Sequence, residues 1–223
     1  MWNGKQKAVT LSYDDGVIQD IRLISILDRY GLKGTFNLNT DLFDRPGRIP
    51  QRDLTKVYAG HEVAGHTCSH SHLEALEDGQ VQEEISRCQD TLSQWFGRPI
   101  FGLAYPYGVC DERIQAAARK AGVAYGRTTL ATLAPLSLQR VKEGLLELPT
   151  TCRHREPGLL ELAREFVALK ADTPQIFYLW GHSYEFDHQD NWDLMEEFCR
   201  IISGHEDIFY GTNCEVLLGK KQR

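Results

Sequence analysis

The run Lys7-Ala8-Val9-Thr10-Leu11-Ser12-Tyr13-Asp14-Asp15-Gly16 sets a strand rich in apolar and β-branched residues directly against two carboxylates. Adjacent carboxylates at a strand's end repel each other unless a cation or a proton separates their roles. A plainer reading makes Asp15 the N-cap of the following helix, where it would satisfy free amide N–H groups. The pair by itself leaves both readings open. Downstream, Val17–Tyr30 places Ile18, Ile21, Ile24 and Leu27 on one helical face, and Gly31 stops the helix.

The same alternation continues along the chain. Gly34–Leu38, His61–Gly65, Ile100–Ala104, Val123–Thr128, Leu145–Leu148, Gln175–Trp180 and Ile208–Tyr210 read as strands. Gln51–Tyr58, Gln80–Phe96, Glu112–Ala121, Gly158–Ala171 and Asn191–Ser203 read as helices, with Asn213–Leu218 as a last helical turn. In Gln80–Phe96 the residues Val81, Ile85, Cys88, Leu92 and Trp95 recur at spacings of three and four, and Gly97-Arg98-Pro99 ends the segment. Repeated βα units of this kind imply a parallel sheet covered by helices, either doubly wound or closed. Polar clusters follow the first, third, fourth and a late strand: Asp14-Asp15, His66 with His70, Pro106-Tyr107, and His182. A barrel gathers the C-terminal ends of its strands at one face, so the expected fold class is α/β, a distorted (β/α) barrel of about seven parallel strands.

The bulk properties narrow the partners. A chain of 223 residues with no domain-like linker reads as one domain over 1–223. A net charge of −6, with Lys and Arg interspersed among Asp and Glu, argues against nucleic acid. No apolar run approaches the roughly 18–20 residues that span a bilayer. The N-terminus shows no h-region or cleavage site, so the expected location is cytoplasmic. The six scattered cysteines, with no C-x-x-C pair, read as reduced thiols.

The histidines give the sharpest chemical signal. In a helical turn, the i, i+4 spacing of His66 and His70 would put both imidazoles within reach of one ion, while the i+2 position turns Cys68 away. His61 and His72 lie close by, and a histidine-rich polar loop is the competing reading. With one carboxylate, two histidines make a ligand set that leaves positions open for water and substrate. A second carboxylate beside that water is a suitable general base.

These residues carry a resemblance to the polysaccharide deacetylase family, also called the NodB-homology or carbohydrate esterase family 4 domain. Ser12-Tyr13-Asp14-Asp15-Gly16 is similar to its Thr/Ser-Phe-Asp-Asp-Gly motif, and His66-Thr67-Cys68-Ser69-His70 to its His-Ser/Thr-x-x-His motif. Ala104-Tyr105-Pro106-Tyr107-Gly108 stands where the family has Arg-x-Pro-Tyr-Gly, and Tyr178-Leu179-Trp180-Gly181-His182 where a strand ends in a histidine. The matches keep family order over about residues 7 to 185. The resemblance implies a distorted (β/α) barrel and one divalent ion on Asp15, His66 and His70. Zinc is the first expectation, with cobalt, nickel or manganese as alternatives. It further implies Asp14 as base, His182 as acid and the backbone N–H of Tyr107 as oxyanion donor. The implied reaction is hydrolysis of an acetyl group by metal-activated water, with a carbohydrate or another N-acetylated small molecule as substrate. Without an export signal, a small or intracellular substrate is expected rather than cell-wall polymer.

The chain departs from the family pattern twice. The arginine that orients the catalytic aspartate is Ala104 here, with Arg127, Arg153 and Arg155 as substitutes to consider. The Asp-x-x-Asp-Trp motif that tunes the acid histidine has no counterpart near Thr128–Arg155, where His154 is either a pocket residue or part of a surface loop. Tyr105, Tyr107, Trp180, Tyr184 and Phe186 are candidates for stacking on sugar or for the core, and Glu185, Asp187 and His188 for the same rim. The alternatives to N-deacetylation are a non-sugar amide or O-acetyl ester hydrolase on the same site, and a catalytically weakened carbohydrate-binding homologue. His182 has a plainer alternative too, as a buried histidine capping a strand end.

Overall fold

β1 (Lys7–Asp14) is buried over its whole length, and its side chains divide by parity. Val9, Leu11 and Tyr13 join the main apolar cluster. Thr10, Ser12 and Asp14 turn the other way and bond to Asn213 and Asn37. The chain thus alternates with the period of a pleated strand, apolar toward the helices and polar toward a barrel interior. The computed structural model describes residues 2–221. Its further strands are β2 (Gly34–Leu38), β3 (Glu62–Gly65), β4 (Gly102–Ala104), β5 (Tyr125–Ala131), β6 (Leu136–Ser137), β7 (Leu148–Thr150), β8 (Cys152–Arg153), β9 (Gln175–Gly181) and β10 (Ile208–Tyr210).

The order is β9-β1-β2-β3-β4-β5-β7, all parallel. β8, one residue beyond β7, pairs with β9 in parallel. Thr151 makes the crossing, its N–H donating to Tyr178 O at 2.9 Å. β7 and β8 are therefore two halves of one stave that brings the sheet round to its start. The expected barrel of about seven parallel strands is observed, with that interrupted stave counted once. β6 runs antiparallel on the early part of β9, and β10 pairs with the early part of β1. β4 is held to β3 by the single pair Gly65↔Leu103, and β5 shifts register against β7 between Arg127 and Ala131. These irregularities distort the ring beside the polar end, where bulges commonly re-aim side chains.

Helices cover the outside: α1 (Asp20–Arg29), α2 (Leu54–Val57), α3 (Asp78–Phe96), α4 (Glu112–Lys120), α5 (Leu138–Glu143), α6 (Leu159–Ala168), α7 (Tyr184–Gln189) and α8 (Trp192–Ile202). α3 buries Val81, Ile85, Cys88 and Leu92 as its spacing predicts and stops at Gly97, in the left-handed region at φ 63°. α1 departs from expectation. It begins at Asp20, and its buried face is Leu23, Ile24, Ile26 and Leu27. Ile18, in the rim loop ahead of the helix, and Ile21, on the helix but off its buried face, stand half exposed at 50% and 49%. Gln51–Tyr58 divides into a 3₁₀ turn and α2, and α7 is an element that periodicity did not reveal. The six cysteines are free thiols, five of them buried. No described helix is long and apolar enough to cross a membrane.

Candidate active site

Inward-facing residues at the strand ends meet at one mouth of the barrel, around a cavity of about 590 Å³. Asp14 closes β1, His66 follows β3, Tyr107 follows β4, and His182 follows β9. Asp15 sits just beyond β1 in the left-handed region at φ 86°, with its N–H on Asn37 O at 3.0 Å and its carbonyl accepting from Arg48. It does not cap α1, whose N-cap is Gln19, so the capping alternative fails.

His66 and His70 converge, but not through a helical turn. Residues 66–70 form a loop in which Thr67 and His70 both have positive φ, at 63° and 62°. The loop is pinned from inside by Thr67 Oγ1, which accepts from His70 N at 3.2 Å. It is pinned from outside by Glu84 of α3, which accepts from Ser69 N and Oγ at 2.9 and 2.8 Å. The rings of His66 and His70 stand 4.7 Å apart at 75°. One ligand atom each from Asp15, His66 and His70 lies within 4.8 Å of the others, a group that could hold a metal ion. Cys68 is fully buried and outside that group.

His66 shows how such a ligand is prepared. Its Nδ1 lies 2.7 Å from Ala104 O, which fixes the tautomer and aims Nε2 at the cavity. That Nε2 is buried without a hydrogen-bond partner. Burial lowers the His66 pKa against the pull of Asp14 and Asp15, so the ring is neutral, as metal ligation requires.

Asp14 is enclosed. Arg127 Nη2 donates to both of its oxygens at 2.5 Å, and Asn37 Nδ2 donates to Oδ1 at 2.7 Å. Burial alone would raise this carboxyl. The Arg127 guanidinium, then His66 and His182, outweigh it and bring Asp14 down to about 2. Arg127 is the Cα partner of Ala104 across β4 and β5, so the guanidinium missing from position 104 arrives from the register-matched site next door. Of the three substitutes the sequence offered, Arg127 is the one that reaches Asp14, while Arg153 and Arg155 pair with Glu185.

His182 Nε2 lies 3.9 Å from Asp14 Oδ2 and 4.0 Å from Asp15 Oδ2. Behind it, Nδ1 is 3.7 Å from Glu185 Oε1 and 3.3 Å from Arg153 Nη2. Burial works against a charged His182, but Glu185, Asp14 and Asp15 prevail and raise its pKa. Glu185 is held below the usual carboxylate range, against the effect of its burial, by His154, His182 and Arg153. It pairs with Arg153, with Arg155 at 3.5 Å, and lies 3.1 Å from His154 Nε2. His154 is no surface residue: it is buried, with its ring packed against those of Tyr13 and Phe186. The sequence placed Glu185 at the rim without its role, because α7, which turns it back under His182, was not foreseen. Asp187 points elsewhere, accepting from Trp192 Nε1 at 2.7 Å, and the His188 ring packs 5.3 Å from that of Tyr184.

The aromatic candidates divide. Phe186 is a core residue, while Tyr105 and Trp180 are buried but line the cavity, Trp180 with the guanidinium groups of Arg127 and Arg153 at 4.7 and 5.1 Å from its ring. Tyr184 and Tyr107 also line the cavity, and Tyr107 is 51% exposed with its ring flat on His72 at 3.7 Å and 3°. Tyr107 itself takes φ 58°.

Fold and site together define a (β/α) barrel with a two-histidine, one-carboxylate centre open to a cavity. The polysaccharide deacetylase family model matches residues 2–126, and the chain belongs to that family. Chitin deacetylase 1 of Cryptococcus neoformans var. grubii is 29% identical over 115 residues, which cover 51% of this chain and 24% of that protein. The chitooligosaccharide deacetylase of a Bradyrhizobium species is 28% identical over 131 residues, covering 53% of this chain and 54% of that protein. The chain therefore spans between a quarter and about half the length of these relatives. The solved chitin deacetylase of Colletotrichum lindemuthianum overlays 96% of this chain and 88% of its own at a TM-score of 0.63 and 18% identity, a likeness of fold.

Proposed function

We propose that the chain is a metal-dependent hydrolase that removes acetyl groups, N-acetyl from an amino sugar or glycan. The observation that carries this reading is convergence. A candidate ion group, a carboxylate kept ionised by a buried arginine and a histidine biased toward its charged form share one cavity, with base and acid 3.9 Å apart. Family membership and the deacetylase relatives supply the acetyl group as the matching substrate.

Asp15, His66 and His70 would hold the ion, and the buried, unpartnered Nε2 of neutral His66 fits that use. A divalent ion bound there supplies Lewis acidity, lowering the pKa of water toward neutrality and polarising a carbonyl. Zinc suits this donor set best, with cobalt, nickel or manganese as alternatives. Asp14, which Arg127 and Asn37 hold ionised and fixed, takes the proton of the attacking water. The backbone N–H of Tyr107 donates to the carbonyl oxygen as negative charge develops. His182, charged by virtue of Glu185 and the two aspartates, hands its proton to the leaving nitrogen, and acetate and a free amine result. Tyr107 and Tyr184 at the mouth offer ring faces suited to a pyranose.

The weakened-homologue reading rests on Ala104 and on the missing Asp-x-x-Asp-Trp motif, and the Arg127–Asp14 pair answers the first of these. Acetate release by metal-loaded protein from a panel of N-acetylated and O-acetylated sugars tests the proposal. Release from N-acetylated members, abolished by Asp14→Asn, is expected. No release from any member, or equal release by the Asp14→Asn chain, would refute it.

A further inference from the structure

Asp20 is a fully buried carboxyl that the chemistry above does not use. It opens α1, five residues after Asp15. Ser183 Oγ donates to its Oδ1 at 2.5 Å, and Tyr58 OH, at the end of α2, donates to its Oδ2 at 2.7 Å. Ser183 and Tyr58 are themselves fully buried. Among the described residues no cation forms an ion pair with Asp20, and Asp15 and Asp14 are the leading charges that act on it.

The position of this junction gives it meaning. The base closes β1 and one ion ligand follows it directly, while the acid sits directly after β9. Those neighbouring strands stay in register as far as Tyr13↔Gly181 and no further. Beyond that pair, Asp20 to Ser183 is a buried cross-link between the segments that follow the two strands, and Gln19 Nε2 to Asp187 Oδ2, at 2.9 Å, is an exposed one. Ser183 is also the residue directly after His182.

We propose that Asp20 is a positioning residue for the acid: by accepting from Ser183 and Tyr58 it ties the His182 segment to the Asp14-Asp15 segment and fixes the spacing of proton donor and acceptor. The proposal rests on the roles given above to Asp14 and His182. Burial lifts the Asp20 carboxyl to about 7 despite the two hydroxyl bonds, in keeping with a hydrogen-bond junction that needs no charge. An amide can serve the same junction, its oxygen accepting from Ser183 and its nitrogen donating to the Tyr58 hydroxyl. An alanine cannot.

The test uses the metal-loaded full chain with an N-acetylated chitooligosaccharide. Asp20→Ala and Ser183→Ala are expected to lower kcat, by up to about 10²-fold, with KM and metal content unchanged, since a shift near 1 Å has an effect of that size. Asp20→Asn is expected to recover most of the activity that Asp20→Ala loses. Unchanged kcat in Ser183→Ala, or Asp20→Asn as impaired as Asp20→Ala at equal metal content, would overturn the proposal. Should Asp20→Ala not fold, the comparison of Ser183→Ala with wild type decides. If wild type itself releases no acetate, the functional reading fails, and the tether is then judged by the imidazole NMR signals of His182. Those signals should move in Ser183→Ala and stay in place in Asp20→Asn, and the reverse pattern refutes the tether.

Discussion

A carboxylate as deeply buried as Asp14 stays ionised only when a cation and hydrogen bonds replace the water it has lost. Arg127 does this from β5, the strand beside the one where the family keeps its arginine. The motifs around Asp14, Asp15, His66, His70 and His182 could be read from residue types and order alone. The arginine's new position could not, because the pairing of Ala104 with Arg127 is a fact of strand register. Removing Arg127 leaves a buried charge uncompensated. Arg127→Met should therefore destabilise the fold by about 3–5 kcal/mol in denaturant unfolding. The double variant Asp14→Asn with Arg127→Met should recover much of that loss. Additive single and double effects would show that the two side chains do not depend on each other.

At the scale of elements, the sequence located strands better than it located turns. An apolar run marks β9, and apolar residues alternating with small polar ones mark β1 and β2. The loop at residues 66–70 looked helical because an i, i+4 pair of histidines fits a helix, yet two left-handed residues and Glu84 bring the same rings together. α7 was missed because its six residues carry mixed polarity and too little length for a period to show. It is nevertheless the element that gives Glu185 its place beneath His182. With the His182 pKa raised in the folded chain, its charged form persists above the usual imidazole range. Glu185→Gln withdraws one source of that shift and frees Arg153 beside Nδ1, so the His182 pKa falls. The alkaline limb of the kcat–pH profile should then move to lower pH, with metal content unchanged. An unmoved limb, or a move to higher pH, would mean that Glu185 does not govern the acid.

Across the whole molecule, the barrel follows from the distribution of polar residues. Clusters after the first, third, fourth and a late strand can meet only where all strand ends share one face, and in the structure they do. The crossing of β7 into β8 at Thr151, which brings the sheet round, left no mark in the sequence, because a stave that changes partners midway has no distinct composition. The account stands or falls on one ion per chain serving one hydrolytic site. The most direct measurement strips the protein of metal and follows acetate release from an N-acetylated chitooligosaccharide as a divalent ion is added back. Release should be absent from the stripped chain, rise in proportion to bound metal and level off at one ion per chain. Full release from the stripped chain, or none at any loading, would contradict the account.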